Sequence, residues 1–237
     1  MSPEAEDFIK KASIADLERA NAYSKDLING LQIVRSFPQG VAVFGSARLP
    51  QDNPYCELAF NLGHRLAENG HPVISGGGPG IMEAVSHGAY EIGGRTIGLN
   101  ITLQHEQKPN PYLTDCLTFE YFFARKVSLA MSAKIFVFFP GGYGTMDELW
   151  EVLCLMQEKK MPLMPVFLVG SDYWRHFDSA IEAMLDLKMV KEEDAGIFKI
   201  TDDVEDIVAE ANRIGHPKIN ENFYDGFREA SKIANSN

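Results

Sequence analysis

KIFVFFPGGYGTMDELWE, residues 134–151, joins an apolar run, a glycine-rich turn and a helical pattern in direct succession. The first part, 134–142, predicts a buried β-strand, because it is almost continuously apolar. From Leu149 onward, apolar residues recur at the i, i+3, i+4 and i+7 spacing of a helix. This stretch therefore predicts a strand–turn–helix unit of an α/β protein.

The rest of the chain repeats this alternation of apolar strands and helical segments. Further strands are predicted at 41–46, 72–78, 95–101, 117–122 and 164–170. Further helices are predicted at 55–69, 79–92, 123–132, 173–187 and 203–213. Apolar strands that alternate with helices are typical of a parallel sheet covered on both faces. We therefore predict an α/β fold with a doubly wound parallel sheet.

The length of 237 residues fits one large domain or two small ones, and we predict a single domain. Residues 1–38 are predicted to be a helical N-terminal extension, 39–215 the core, and 216–237 a polar tail. The start of the chain lacks the pattern of a signal peptide, and no apolar run reaches membrane-spanning length. With three widely separated cysteines, these features predict a cytoplasmic protein without a membrane partner.

The net charge of −11 argues against a broad nucleic-acid-binding surface, which needs a surplus of Lys and Arg. A small anionic ligand stays compatible with that charge, because backbone amides and one or two cations can hold a phosphate. The cysteines form no metal-type pair, and we predict no metal site.

Three predicted strands end in turn-forming residues, at 45–46, 75–78 and 140–142. In a parallel sheet these ends meet at one edge, where ligands bind. Neither the P-loop pattern nor G-x-G-x-x-G matches any of the glycine runs, so the usual signatures of Mg-ATP and NAD are missing. The run SGGGPG admits two interpretations: a tight strand-to-helix turn alone, or bare backbone against a ligand phosphate or ribose.

The segment from Thr145 to Glu148 also has two interpretations. As T-x-x-E it fits a capping box, in which Thr145 and Glu148 satisfy backbone amides of the helix start. Alternatively, Thr145 and the amides of 142–144 hold a phosphate, and Glu148 faces the sugar of the same ligand. A carboxylate in that place suits cleavage of an N-glycosidic bond, because positive charge develops on the ribose.

A cation is expected beside that carboxylate, and the helix at 123–132 begins with Arg125 and Lys126. Two cations at a helix start oppose its dipole unless an anion is near. Arg125 is either part of such a site or solvated, and Lys126 is better explained as solvated or paired.

Together, GGGPGIMEA (76–84), the Arg-Lys pair and PGGYGTMDE (140–148) resemble the motifs of the LOG (Lonely Guy) family, over about residues 40–212. The resemblance implies a Rossmann-like fold and a phosphoribohydrolase that cleaves nucleoside 5′-monophosphates, such as AMP or cytokinin nucleotides, to free base and ribose 5-phosphate. It implies no metal and no cofactor, and it implies a homo-oligomer.

The resemblance also implies the roles of individual residues. Its catalytic arginine and glutamate correspond to Arg125 and Glu148. The residues that correspond to its substrate- and phosphate-binding motifs are Gly45, Ser46, Gly76, Gly77, Gly78, Glu83, Lys126, Gly141, Gly142, Gly144 and Thr145.

Two features depart from the compact plant pattern: Glu83 replaces a glycine, and the N-terminal extension is additional. The base-binding residues are not evident; Met82, Phe122 and Leu129 are better explained as core. No lysine lies in a recognisable pyridoxal-phosphate context, and Lys134 opens a predicted strand. A nucleotide-binding carrier or sensor without turnover is the alternative function, since one fold serves many functions.

Overall fold

The computed structural model describes residues 14–103 and 108–216. Within those ranges the chain forms eight helices and seven strands. In chain order they are α1 (Ile14–Val34), β1 (Gly40–Phe44), α2 (Pro54–Glu68), β2 (Val73–Ser75), α3 (Ile81–Glu91), β3 (Thr96–Ile101), β4 (Asp115–Phe119), α4 (Phe122–Ser132), β5 (Ala133–Phe138), α5 (Tyr143–Gln157), β6 (Val166–Val169), α6 (Ser171–Asp186), α7 (Glu192–Ala195), β7 (Phe198–Thr201) and α8 (Val204–Ile214). None of these helices is both long and apolar enough to cross a lipid bilayer.

All seven strands lie in one parallel sheet, in the order β4-β3-β2-β1-β5-β6-β7. Val43 of the central strand β1 pairs with Ser75 of β2 on one side and with Val137 of β5 on the other. The strand order runs outward from β1 in one direction and from β5 in the other. The gap between β1 and β5 is therefore the topological switch point, outside which ligands bind in open α/β sheets.

Each face of the sheet carries its own hydrophobic core. On one face α1, α4, α5 and α6 bury side chains such as Leu149 and Trp174. On the other, α2, α3 and α8 bury side chains such as Ile81. Phe136 and Val137, neighbours on β5, point into opposite cores, as the period of two along a strand requires. The predicted doubly wound α/β fold is therefore confirmed.

The structure differs from the sequence prediction at one edge of the sheet and at the ends of several elements. The strand β7, which pairs with β6, was not predicted. Its four residues include the exposed Lys199, so it lacks the apolar run that marks the central strands. The predicted strand 134–142 ends at Phe138, because the glycine turn follows. Residues 1–13 and 217–237, which hold parts of the predicted extension and tail, lie outside the described residues.

Candidate active site

A cavity of about 640 Å³ opens at the carboxyl ends of the strands, around the switch point. It lies between the end of β1, the end of β3 and the first turns of α4 and α5. The predicted site residues that line it are Gly45, Ser46, Gly76, Arg125, Gly141, Gly142, Gly144, Thr145 and Glu148. Nine of the 13 residues predicted from sequence thus surround one cavity.

Arg125 and Glu148 form an ion pair inside this cavity. Nη1 of Arg125 lies 3.1 Å from Oε1 of Glu148, and the two side chains are only 12% and 14% exposed. Nε of Arg125 donates to the carbonyl oxygen of Leu99 on β3 at 2.7 Å. A Cβ at Gly76 would lie 2.2 Å from Nη2 of Arg125, so only glycine leaves room for the guanidinium there. The arginine is therefore held in one position by β2, β3 and α5 together.

The Glu148 carboxyl is buried, and its pKa is raised to about 7. Burial is the largest cause, because the charged form loses its hydration. Arg125 opposes this effect by stabilising the carboxylate, and Asp147 adds to it by repulsion. Among the described residues, none donates a hydrogen bond to Oε2 of Glu148, so that oxygen is available to a ligand.

Helix α5 presents free backbone amides to the same cavity. It begins at Tyr143, with Gly142 as the N-cap and no side chain as a cap. The first helical hydrogen bond runs from the amide of Met146 to Gly142, and the amides of Tyr143, Gly144 and Thr145 have no acceptor in the described part of the chain. The capping-box interpretation is therefore wrong, since Thr145 lies in the first turn rather than at the cap. Unpaired amides at the positive end of a helix dipole favour an anion.

Two hydrogen-bond systems hold the loops that surround the cavity. The backbone of Ser46 donates to the carbonyl oxygen of Pro140 and accepts from the amide of Ile81, both at 3.0 Å. The hydroxyl of Tyr173, on α6, donates to the carbonyl oxygen of Gly141 at 2.6 Å. The turns after β1, β2 and β5 are thus fixed relative to one another.

Four predicted site residues do not line the cavity. Gly77 and Gly78 accept hydrogen bonds from the backbone and side-chain nitrogens of Asn110, at 2.8 and 3.0 Å. Glu83 lies in the first turn of α3, away from the cavity lining. Lys126 binds Asp147 at 3.0 Å and Glu151 at 2.8 Å, which matches the alternative that it is paired. Burial lowers the pKa of the Lys126 ammonium, but the two carboxylates outweigh burial, and the pKa is raised overall.

Several cavity residues were not predicted from sequence. Arg48 is exposed and forms no ion pair with any residue in the described ranges, so its charge is free. Its position just after Gly45 and Ser46 was a signal that could have identified it. Asn100 interrupts the apolar strand β3, and that irregularity was a second signal. Tyr173 gave no signal, because its contact with the turn depends on the tertiary fold.

The nature of the lining indicates what the cavity can hold. The described residues contain no group of three or more His, Cys, Asp or Glu side chains arranged for a metal ion. The cavity instead combines the free amides of α5, the cation Arg48, the Arg125–Glu148 ion pair and the apolar side chains of Met82, Leu103 and Phe122. Phe122 was expected in the core, but its side chain is exposed at the cavity mouth. Leu129 is a core residue, as expected.

Comparison with protein families finds one that matches residues 82–211, described as possible lysine decarboxylase. Curated relatives match the chain at moderate sequence identity. Cytokinin riboside 5′-monophosphate phosphoribohydrolase LOG5 of Arabidopsis thaliana is 27% identical over 181 residues, which are 75% of this chain and 79% of the relative. A protein of Mycobacterium marinum named cytokinin riboside 5′-monophosphate phosphoribohydrolase is 33% identical over 140 residues, 58% of this chain and 73% of the relative.

Solved structures resemble the fold over three quarters of the chain. The X-ray structure of TM1055, a structural genomics target, is 28% identical, with a TM-score of 0.57, and covers 74% of this chain and 99% of its own. The molybdenum cofactor carrier protein of Chlamydomonas reinhardtii is 22% identical, with the same TM-score of 0.57, and covers 75% of this chain and 98% of its own. The second likeness concerns the fold alone.

Proposed function

Since this chain belongs to the LOG family, whose profile is described as possible lysine decarboxylase, we propose that it hydrolyses the N-glycosidic bond of nucleoside 5′-monophosphates. The products are a free base and ribose 5-phosphate. The observation that carries the proposal is the buried Arg125–Glu148 pair, 3.1 Å apart, in a cavity bordered by free helix amides.

Glu148 acts on the ribose in this proposal. As the bond between C1′ and the base nitrogen breaks, positive charge develops on the ribose, and the carboxylate stabilises it. Glu148 also takes a proton from the attacking water, whose oxygen forms the new bond to C1′. The base leaves with the electron pair and takes a proton from solvent, and Glu148 then returns its own proton to solvent. A pKa of about 7 keeps this group close to the point where a general base is most effective.

Arg125 holds Glu148 in place and donates to the ribose hydroxyls. Its Nη1 is occupied by Glu148 and its Nε by the Leu99 carbonyl, which leaves Nη2 beside Gly76 as the donor for substrate. Because the guanidinium is fixed by two partners before substrate binds, little conformational entropy is lost when it makes a third contact.

The phosphate is held at the start of α5. The amides of Gly144 and Thr145 and the Thr145 hydroxyl are the main donors, with the Gly141–Gly142 backbone close by. Arg48, which follows Gly45 and Ser46 in the loop after β1, supplies positive charge. Gly77 and Gly78 shape the adjacent loop through Asn110, and Glu83 and Lys126 act at most indirectly, because none of the four lines the cavity.

We also propose that the protein is a homo-oligomer. Tyr23 of α1, Phe123 of α4 and Tyr121 just before α4 form a cluster of aromatic rings whose centroids are 4.4 to 6.2 Å apart. Tyr23, Phe122 and Phe123 keep large exposed areas. An exposed aromatic cluster beside the cavity mouth suits contact with a second copy of the chain.

The direct test is incubation of the protein with AMP, CMP, GMP and an N6-prenylated AMP, with chromatographic detection of free base. Glu148→Gln keeps the shape of the side chain but removes its charge, so we expect base release to fall by about 10²- to 10⁴-fold. Glu158→Gln, at the exposed far end of α5, removes the same charge outside the cavity and is the matched control. Adenosine, which lacks the phosphate, should react far more slowly than AMP.

The competing function is a nucleotide-binding carrier or sensor without turnover. The chain shares its fold with a molybdenum cofactor carrier, which is why this alternative is tested. Binding of a 5′-monophosphate without release of base, by wild type and Glu148→Gln alike, would establish that alternative. Equal loss of activity in Glu148→Gln and Glu158→Gln would show that Glu148 has no special role.

A further inference from the structure

The cavity is long enough to separate the two ends of a mononucleotide. β3 and β5 are separated by β2 and β1, and three strand spacings amount to about 14 Å. The free amides of α5 follow β5, whereas Asn100, Ile101 and Leu103 lie at the far end, where β3 finishes. In the proposed hydrolase, the phosphate binds at α5 and the ribose at Arg125. The base then occupies the remaining end of the cavity, beside the end of β3.

Asn100 is the polar side chain at that end. The residue is only 1% exposed, yet it lines the cavity. Its Oδ1 accepts from the backbone amide of Ile101 at 2.7 Å. This bond fixes the orientation of the carboxamide, because only the oxygen can accept from an N–H. The amide nitrogen has no acceptor in the described part of the chain, and it is not sealed off from the cavity, because it is not among the fully buried unpaired side-chain atoms. It is therefore available as a donor to a ligand.

The surroundings of Asn100 suit a base better than a sugar. Met82, Leu103 and Phe122 line the same cavity and offer apolar contact to the faces of a flat ring. The ribose hydroxyls already have Arg125 as their donor in the proposed function. A lone N–H donor in apolar surroundings discriminates strongly, because a ligand without the matching acceptor leaves it unpaired.

We propose that Asn100 determines base specificity by donating, through its amide nitrogen, to an acceptor nitrogen on the edge of a purine base. This inference deepens the proposed function and rests on it. The purine ring nitrogens that can accept are N1, N3 and N7, and replacing each with a C–H group removes one acceptor while the shape of the base is kept.

The experiment compares AMP with 1-deaza-, 3-deaza- and 7-deaza-AMP in wild type and Asn100→Asp. Asn100→Asp keeps the acceptor for Ile101 but replaces the donor with a second oxygen. Asn61→Asp, at an exposed position of α2, adds the same charge elsewhere and is the matched control. We measure kcat/KM for AMP and for the 1- and 3-deaza analogues. For 7-deaza-AMP, which alters the leaving group, we measure the inhibition constant instead.

We expect one deaza substitution to weaken recognition by wild type about five- to 100-fold, and Asn100→Asp to weaken recognition of AMP by a similar factor. For that one analogue the measured constants of the variant and of wild type should differ little, since the analogue has already lost the hydrogen bond to residue 100. Taking the variant-to-wild-type ratio within each substrate cancels the intrinsic reactivity of the analogue.

A ratio that is the same for AMP and all three analogues would overturn the assignment of Asn100, while base release from AMP by wild type would leave the hydrolase proposal intact. Should wild type release no base, the same four nucleotides are titrated by calorimetry. If wild type distinguishes AMP from one deaza analogue and Asn100→Asp does not, the inference holds for a binding protein. If wild type binds all four nucleotides equally, or binds none, the inference is rejected.

Discussion

At the scale of single residues, Glu148 combines burial with a neighbouring positive charge, and the two act on its pKa in opposite directions. Burial prevails and gives a pKa of about 7, although Arg125 stabilises the carboxylate at 3.1 Å. The like charge of Asp147 raises the pKa further, and Lys126 lowers it. The protonation state of Glu148 therefore changes near neutral pH, where a small change in its surroundings alters the ionised fraction of the carboxyl.

Asp147→Asn tests whether Glu148 controls the rate. If the ionised carboxylate is the active form, kcat/KM for AMP should rise with pH and level off above about pH 7. Removing the Asp147 charge lowers the pKa of Glu148, so the midpoint should move to lower pH. Because Asp147 is 62% exposed, solvent screens it, and we expect a shift of roughly half a unit or less.

The substrate phosphate also ionises in this pH range, but its pKa in free AMP does not depend on which protein is used. A midpoint that is identical in wild type and Asp147→Asn would therefore assign the pH dependence to the substrate and contradict the role of Glu148.

At the scale of elements, the turn between β5 and α5 is built from contacts that leave its amides free. Gly141 lies so close to Thr145 that a Cβ there would approach Oγ1 to 2.1 Å. Tyr173 of α6 binds the Gly141 carbonyl from outside the turn. The turn is thus held by its carbonyl group and by packing, while its donors face the cavity. Such an arrangement is organised for an anion before the anion arrives.

Tyr173→Phe tests this preorganisation. The variant removes only the hydroxyl that donates to Gly141, and a hydrogen bond of this kind contributes about 1 kcal/mol. We expect KM for AMP to rise about fivefold, with a smaller change in kcat, because the turn that we propose to bind the phosphate is then less well ordered before binding. Steady-state kinetics measure both constants.

Tyr90→Phe, which removes a hydroxyl from an exposed tyrosine of α3, is the matched control. The result that contradicts our interpretation is an unchanged KM in Tyr173→Phe, or an equal change in both variants.

At the scale of the whole molecule, the sequence predicted what depends on local pattern and missed what depends on distant contacts. The apolar central strands and the glycine turns at their ends indicated the sheet and the edge at which Gly45, Gly76 and Gly141 meet. The family resemblance indicated the Arg125–Glu148 pair. Neither source could reveal Tyr173, because its contact with Gly141 joins α6 to the turn after β5, 32 residues away in the chain. The edge strand β7 was missed because it is only four residues long and includes the exposed Lys199, so it shows no apolar run.

Lys134 links the sheet to the last described helix by a buried polar cluster. It is the second residue of β5, and its ammonium group donates to the carbonyl oxygens of Ala211 and Gly215 and to Nδ1 of His71. Nε2 of His71 in turn contacts Oδ1 of Asn212 at 2.8 Å. Burial lowers the pKa of Lys134 to about 8. The cluster lies at the amino end of the strands, opposite the cavity, so this lysine serves the fold and not the proposed chemistry.

Lys134→Met tests this assignment through the pH dependence of stability. In the native state the lysine loses its proton near pH 8, whereas in the unfolded chain it does so near 10.5. Between these values the unfolded state binds more protons, so this group makes the free energy of unfolding rise with pH, by about 1 to 3 kcal/mol in total. Methionine keeps the apolar stem without the titration. Urea unfolding between pH 7 and 10.5 should therefore show a wild-type advantage that grows with pH. The control is Lys160→Met, at an exposed lysine after α5, for which the difference in free energy of unfolding from wild type should not change with pH. If the difference for Lys134→Met is also independent of pH, the buried ammonium is not destabilised.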